Sequence, residues 1–140
     1  MSAMKRLFQL MAEKNASDIF LTVGAPINIK INGVAVPVNQ SVLNADAVRQ
    51  LIYEVLSEKQ IREYEDEMEL NTGYTFEGGG SFRISAFRQK GSPAVVVRYI
   101  PSMIPPIDTL SLPEALKDII MEKRGLILMV GATGSGKSTT

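Results

Sequence analysis

Phe82-Arg83-Ile84-Ser85-Ala86-Phe87-Arg88 and Ala94-Val95-Val96-Val97-Arg98-Tyr99 are two runs rich in aromatic and β-branched residues, separated by a stretch that begins Gln89-Lys90-Gly91-Ser92. Such residues favour strands, and a short connection containing glycine makes the pair a hairpin. With the turn at Lys90-Gly91, residues equidistant from it lie opposite one another. Arg83 then faces Arg98, Ser85 faces Val96 and Phe87 faces Ala94. Like charges directly opposed weaken a sheet by some tenths of a kcal/mol, up to about one. One reading is that both side chains point into solvent and tolerate each other. The other is that two rigid guanidinium forks on one flat surface clamp an anion such as a phosphate tail.

Upstream, Tyr74-Thr75-Phe76 reads as a strand and Glu77 to Ser81 as a glycine-rich turn, which extends the hairpin to a three-stranded meander. Ser57 and Gln60 are spaced as a capping box for a helix with Ile61, Tyr64 and Met68 facing inward. Its Glu63, Glu65, Asp66, Glu67 and Glu69 form an acidic cluster. Consecutive carboxylates around a helix do not converge on one ion, so they read as a solvated face rather than a metal site or docking surface. Asn44 caps an earlier helix whose core face is Val48, Leu51, Ile52, Val55 and Leu56. Before that, Ile27, Ile29 and Ile31 alternate with polar residues, Asn32-Gly33 turns the chain, and Val34-Ala35-Val36 returns. Ile19 to Val23 is a mostly buried strand after a turn over Asn15 to Asp18. Met4, Leu7, Phe8 and Met11 recur at helical spacing within Met1 to Glu13. The sum is an α+β domain over residues 1–100 with a mainly antiparallel sheet and flanking helices.

Composition narrows the chemistry. The chain has 140 residues, 15 basic and 15 acidic, so nothing marks a nucleic-acid-binding stripe. It has no cysteine, which excludes disulfides and thiolate metal sites, and no histidine, which excludes imidazole as base or ligand. No apolar stretch approaches the length of a membrane span, and the N-terminus lacks the long apolar run of a signal peptide. The expected compartment is the cytoplasm.

Composition shifts after residue 100. Pro101, Pro105, Pro106 and Pro113 fall close together, and residues 101–112 read as a semi-stiff linker. Pro113 suits a first helical position, Ala115, Leu116, Ile119 and Ile120 share a face, and Gly125 ends that helix after Lys123 and Arg124. Leu126 to Val130 is then expected as a buried strand. It leads into Gly131-Ala132-Thr133-Gly134-Ser135-Gly136-Lys137-Ser138-Thr139-Thr140, which fits G-x-x-x-x-G-K-[ST]. A strand, a glycine-rich turn and a helix start make a phosphate-binding loop. Backbone N–H groups from Gly131 through Ala132, Thr133, Gly134, Ser135 and Gly136 wrap the phosphates, with Thr139 closing the cradle. Lys137 adds a point charge and the Ser138 hydroxyl a ligand for Mg²⁺. The sequence reads as a nucleotide-binding protein that stops inside its own binding site.

The succession Ser17-Asp18-Ile19-Phe20-Leu21, Gly24-Ala25-Pro26, Phe82 to Phe87, Val97-Arg98-Tyr99-Ile100-Pro101 and Arg124 to Gly131 resembles the PilT/PilU family of type IV pilus retraction ATPases. These are relatives of the type II and type IV secretion ATPases. Met121 to Gly125 and Gly131-Ala132-Thr133-Gly134 lean toward the PilU branch. The resemblance implies a PAS-like N-terminal domain, a linker, and from residue 113 the first helix and strand of a RecA-like ATPase domain. It also implies a cytoplasmic, hexameric, ATP-hydrolysing motor driving pilus retraction and twitching motility, peripheral to the inner membrane at the pilus base. Its partners would be other copies of itself, the inner-membrane platform protein and a paralogous retraction ATPase, with no nucleic acid and no membrane insertion. ATP and Mg²⁺ would be the ligands, with ATP between the two domains. Arg83 and Arg98 match the two N-terminal-domain arginines that reach the nucleotide in this family, where with Lys137 they would stabilise transferring phosphoryl charge. The residues that position water in such motors have no counterpart up to Thr140, so the chain by itself is expected neither to hydrolyse ATP nor to bind it measurably. The alternative is a non-catalytic PAS-like sensor or adaptor module, and a weaker one another P-loop kinase or GTPase.

Overall fold

The computed structural model describes residues 2–76, 80–102, 105–131 and 136. The chain divides into two compact units, Met1–Ser102 and Met103–Thr140.

In the first unit the order is α1 (Ala3–Lys14), β1 (Asp18–Thr22), β2 (Asn28–Ile31), β3 (Val34–Pro37), α2 (Ala45–Tyr53), α3 (Glu58–Glu67), β4 (Glu69–Phe76), β5 (Gly80–Gln89) and β6 (Ser92–Ile100). The strands make one antiparallel sheet in the order β3-β2-β1-β6-β5-β4. The α+β antiparallel reading of this region therefore holds.

The helices form where capping chemistry and apolar spacing coincide. Ser2 caps α1, and Met4, Leu7, Phe8 and Met11 are its buried residues. Asn44 accepts from the Ala47 N–H at 2.8 Å, and α2 buries Val48 and Ile52. Ser57 and Gln60 make both bonds of the capping box on α3. Tyr64 is inward as expected, whereas Met68 is not. It ends α3 in the left-handed region at φ 63° and is 57% exposed, because the chain must reverse there to enter β4. β4 also starts earlier than the expected Tyr74. Pairing with β5 from Glu69↔Phe87 onward draws Asn71 and Gly73 into the strand despite their poor strand propensity.

Both two-residue turns carry positive φ at both positions, Asn32 (49°) with Gly33 (84°) and Lys90 (51°) with Gly91 (79°). That geometry matches the twist of the flanking strands and fixes the register. The β5–β6 pairs are Arg83↔Arg98, Ser85↔Val96 and Phe87↔Ala94, as the turn predicts.

Alternation separates the two faces of the sheet. Phe82, Ile84 and Ala86 of β5 join Val95 and Val97 of β6 and Ile19 and Leu21 of β1 in one core with the buried helix residues. Phe8 stacks on Phe82 at 4.2 Å between ring centroids, seating α1 on the sheet. The core cluster includes no residue from the opposite, odd-numbered face of β5.

In the second unit a short 3₁₀ turn, Ile107–Thr109, precedes α4 (Ala115–Ile119). The Thr109 hydroxyl donates to the Pro106 carbonyl at 2.7 Å, and Lys117 pairs with Asp108. Two expectations are corrected here. The helix closes at Ile120 rather than continuing to Gly125. No side chain caps its start, and so short a helix has little cooperativity to extend it. Leu126 to Val130 is in no strand: among the described residues its backbone has no ladder partner, and apolar composition alone does not make a strand. The alternation survives without the ladder. Ile127 and Met129 line an apolar cleft with Ile107, Leu116, Ile119 and Ile120, while Leu126, Leu128 and Val130 are far more exposed.

Candidate functional site

The register places the two arginines side by side on the sheet face that the helices leave uncovered. Reading across the strands, one row runs Lys30 on β2, Asp18 on β1, Arg98 on β6, Arg83 on β5 and Gly73 on β4. Arg83 and Arg98 are both exposed, Arg98 with 69% of its side chain accessible. With Asn71, Ser85 and Val96 they line a hollow of about 280 Å³. Ser85 donates its hydroxyl to Asn71 Oδ1 at 2.8 Å, which fixes the floor of the hollow.

Like charges in neighbouring strands need a reason to stay together, and part of it is Asp18. The first strand residue of β1 lies directly beside Arg98, and its Oδ1 accepts from Arg98 Nε at 3.1 Å. Its Oδ2 accepts from the Ser17 hydroxyl at 2.9 Å. Asp18 is buried, only 7% exposed. The Nε contact uses one edge of the guanidinium, and the terminal Nη donors of Arg98 have no partner among the described residues. Arg83 has no ion pair among them either. Two donor-rich forks over a small polar hollow, with Ser85 and Asn71 beneath, suit a dispersed anionic charge such as phosphate.

Sequence reasoning found Arg83 and Arg98 and missed Asp18, which it left in a turn. The available signal was an acid immediately ahead of the apolar run Ile19-Phe20-Leu21. An acid at a strand's entry is unremarkable until the strand across from it is known.

The phosphate loop is only partly within the described residues. Gly136 has φ 90°, in the left-handed region where glycine is favoured, and Gly131 is exposed. Ala132, Thr133, Gly134, Ser135, Lys137, Ser138 and Thr139 lie outside the described residues. Among the described residues no group of acidic side chains is arranged to hold a metal, and the acidic residues of α3 are exposed. Glu65 instead bonds the Tyr53 hydroxyl and pairs with Arg88 at 3.3 Å. No described helix is long and apolar enough to cross a membrane.

Comparison with known proteins gives these features a context. No protein-family model matches the chain. The type IV pilus ATPase PilU of Pseudomonas aeruginosa is 41% identical over 136 residues, which is 97% of this chain and 36% of PilU. The type IV pilus retraction ATPase PilT of the same organism is 35% identical over 134 residues, 96% of this chain and 39% of PilT. A crystal structure of the pilus retraction motor PilT with bound ADP superposes with a TM-score of 0.80 at 35% identity, covering 99% of this chain and 40% of that one. The chain thus spans about two-fifths of the length of its relatives. Both the superposition and the identity along almost the whole length place it with them: this chain belongs to the PilT/PilU family of type IV pilus ATPases and corresponds to their N-terminal part.

Proposed function

We propose that the chain is the nucleotide-gripping N-terminal part of an ATP-driven type IV pilus retraction motor. In this reading the first unit is the PAS-like domain and the second begins a RecA-like ATPase domain. ATP with Mg²⁺ is the ligand shared by the arginine-bearing sheet and the Gly131–Ser138 loop. The single observation that carries it is the Arg83–Arg98 pair, held adjacent on the uncovered sheet face with donors unpartnered among the described residues. A surface that accepts like-charge repulsion without an ion pair on Arg83 is organised for an incoming anion. The loop motif supports the same ligand, as does the ADP bound to the PilT relative. Arg83 and Arg98 stabilise charge developing on the transferred phosphoryl group, Lys137 neutralises the outer phosphates, and Ser138 takes the metal. The motor acts as a hexameric ring at the cytoplasmic side of the inner membrane, with the pilus platform protein and a paralogous ATPase as partners.

The test is Arg83→Ala and Arg98→Ala in the complete protein that carries this chain. Each should lower ATP turnover roughly a hundredfold or more, toward the range supplied by arginine fingers, with an unchanged far-UV circular dichroism spectrum. Full turnover in either folded variant would remove that arginine from the clamp.

A further inference from the structure

The buried carboxylate of Asp18 has no place in the phosphate chemistry, yet it is the contact that ties Arg98 down. Both its oxygens are engaged, one by Arg98 Nε at 3.1 Å and one by the Ser17 hydroxyl at 2.9 Å. Its backbone is fixed from both sides, paired with Lys30 across β2 and Arg98 across β6. Next door, the Ser17 N–H donates to the Lys30 carbonyl and its own carbonyl accepts from the Tyr99 N–H. An acid that is 7% exposed loses hydration, so it is retained where strong charge-assisted bonds replace water. Lys30 is as near in register as Arg98, but only Arg98 makes the ion pair among the described residues.

We propose that Asp18 is a positioning residue: by holding Arg98 through Nε it orders a long side chain in advance and leaves the terminal Nη groups free for the anion beside Arg83. This rests on the clamp reading above. An arginine engaged at Nε keeps its forked end available, whereas one engaged at both Nη atoms does not. A side chain ordered before binding loses less freedom when the ligand arrives. Asp18 also sits between Lys30 and Arg98 in the row, so it relieves repulsion among three cations; this is a purely structural role that the test has to separate out.

The experiment is a double-mutant cycle on affinity for a non-hydrolysable ATP analogue that keeps a third phosphate, by calorimetry on the complete protein carrying this chain, with thermal midpoints recorded for every variant. Arg98→Ala should weaken binding of the analogue about tenfold or more. Asp18→Ala should weaken it roughly threefold to tenfold, the effect of having to order one long side chain on binding. The double variant should be no weaker than Arg98→Ala alone, because Asp18 acts through Arg98. Asp18→Asn keeps an acceptor for Nε, guards against a folding defect, and should fall between wild type and Asp18→Ala. Three outcomes overturn the proposal. If the arginine variants lose affinity while Asp18→Ala and Asp18→Asn change only the thermal midpoint, Asp18 is structural and the clamp stands. Losses from Asp18 and Arg98 that multiply in the double variant mean that Asp18 does not act through Arg98. Unchanged affinity in both Arg83→Ala and Arg98→Ala removes the clamp itself, and the positioning role with it.

Discussion

At the residue scale, a few positions carry more consequence than their size suggests. Gly80 opens β5 with φ 92°, and a Cβ there would meet Tyr99 Cε2 at 2.9 Å and the Ile100 carbonyl oxygen at 3.0 Å. Gly80→Ala combines left-handed strain with a contact against backbone that cannot swing away. It should lower stability by about 1–3 kcal/mol in a urea titration. Tyr53 gives a pH signature instead. Burial, reinforced by its bond to Glu65, pushes its phenol from the ordinary 10.0 up to about 12. The folded chain keeps this proton while the unfolded chain releases it near 10, so the associated stability is complete below pH 10 and drains away between 10 and 12. Tyr53→Phe should flatten that part of the stability curve, measured as urea midpoint against pH. Burial also raises Tyr64, and Tyr53→Phe leaves that slope in place. Legibility at this scale followed sequence distance. Arg83 and Arg98 could be paired because a recognisable two-residue turn sets their register. Asp18 could not be paired with Arg98, because a separation of 80 positions carries no such rule.

At the element scale, local chemistry decided most boundaries and tertiary pairing decided the remainder. Asn44, the Ser57–Gln60 box, Asn32-Gly33 and Lys90-Gly91 all act within a few residues of themselves, and each could be read directly. The start of β4 and the absence of a strand at Leu126–Val130 depend on whether a neighbouring backbone is present, which no local pattern reports. One helix end shows the same dependence. The Met4 N–H in the first turn of α1 donates to Glu54 Oε2 at 2.7 Å, from the residue that closes α2. A carboxylate is favoured at that position by the helix dipole. Glu54→Gln keeps the acceptor and removes the charge, and it should cost about 0.3–1 kcal/mol, less at high salt, by chemical denaturation.

At the scale of the whole molecule, the buried core among the described residues lies in the first unit. Its members run from Met4 to Val97, and the partly buried residues packed on it end at Tyr99. A chain comprising residues 1–102 should therefore unfold in one cooperative transition, with a urea midpoint close to that of the 140-residue chain when both are followed at the same far-UV wavelength. A clearly lower midpoint would mean that later residues support the core. The family assignment rests on the identity and the superposition along almost the whole chain.

The sheet order gives β1 the neighbour β6, so the middle of the structure joins the earliest and the latest strands of the unit. A ribosome must therefore deliver Val97 before Ile19 can find its partner on that side, and until then the β1–β3 segment has its inner edge bare. Closing so wide a loop late makes for slow maturation. It also means that the Asp18–Arg98 contact, joining those two strands, can form only once the nascent domain is essentially complete.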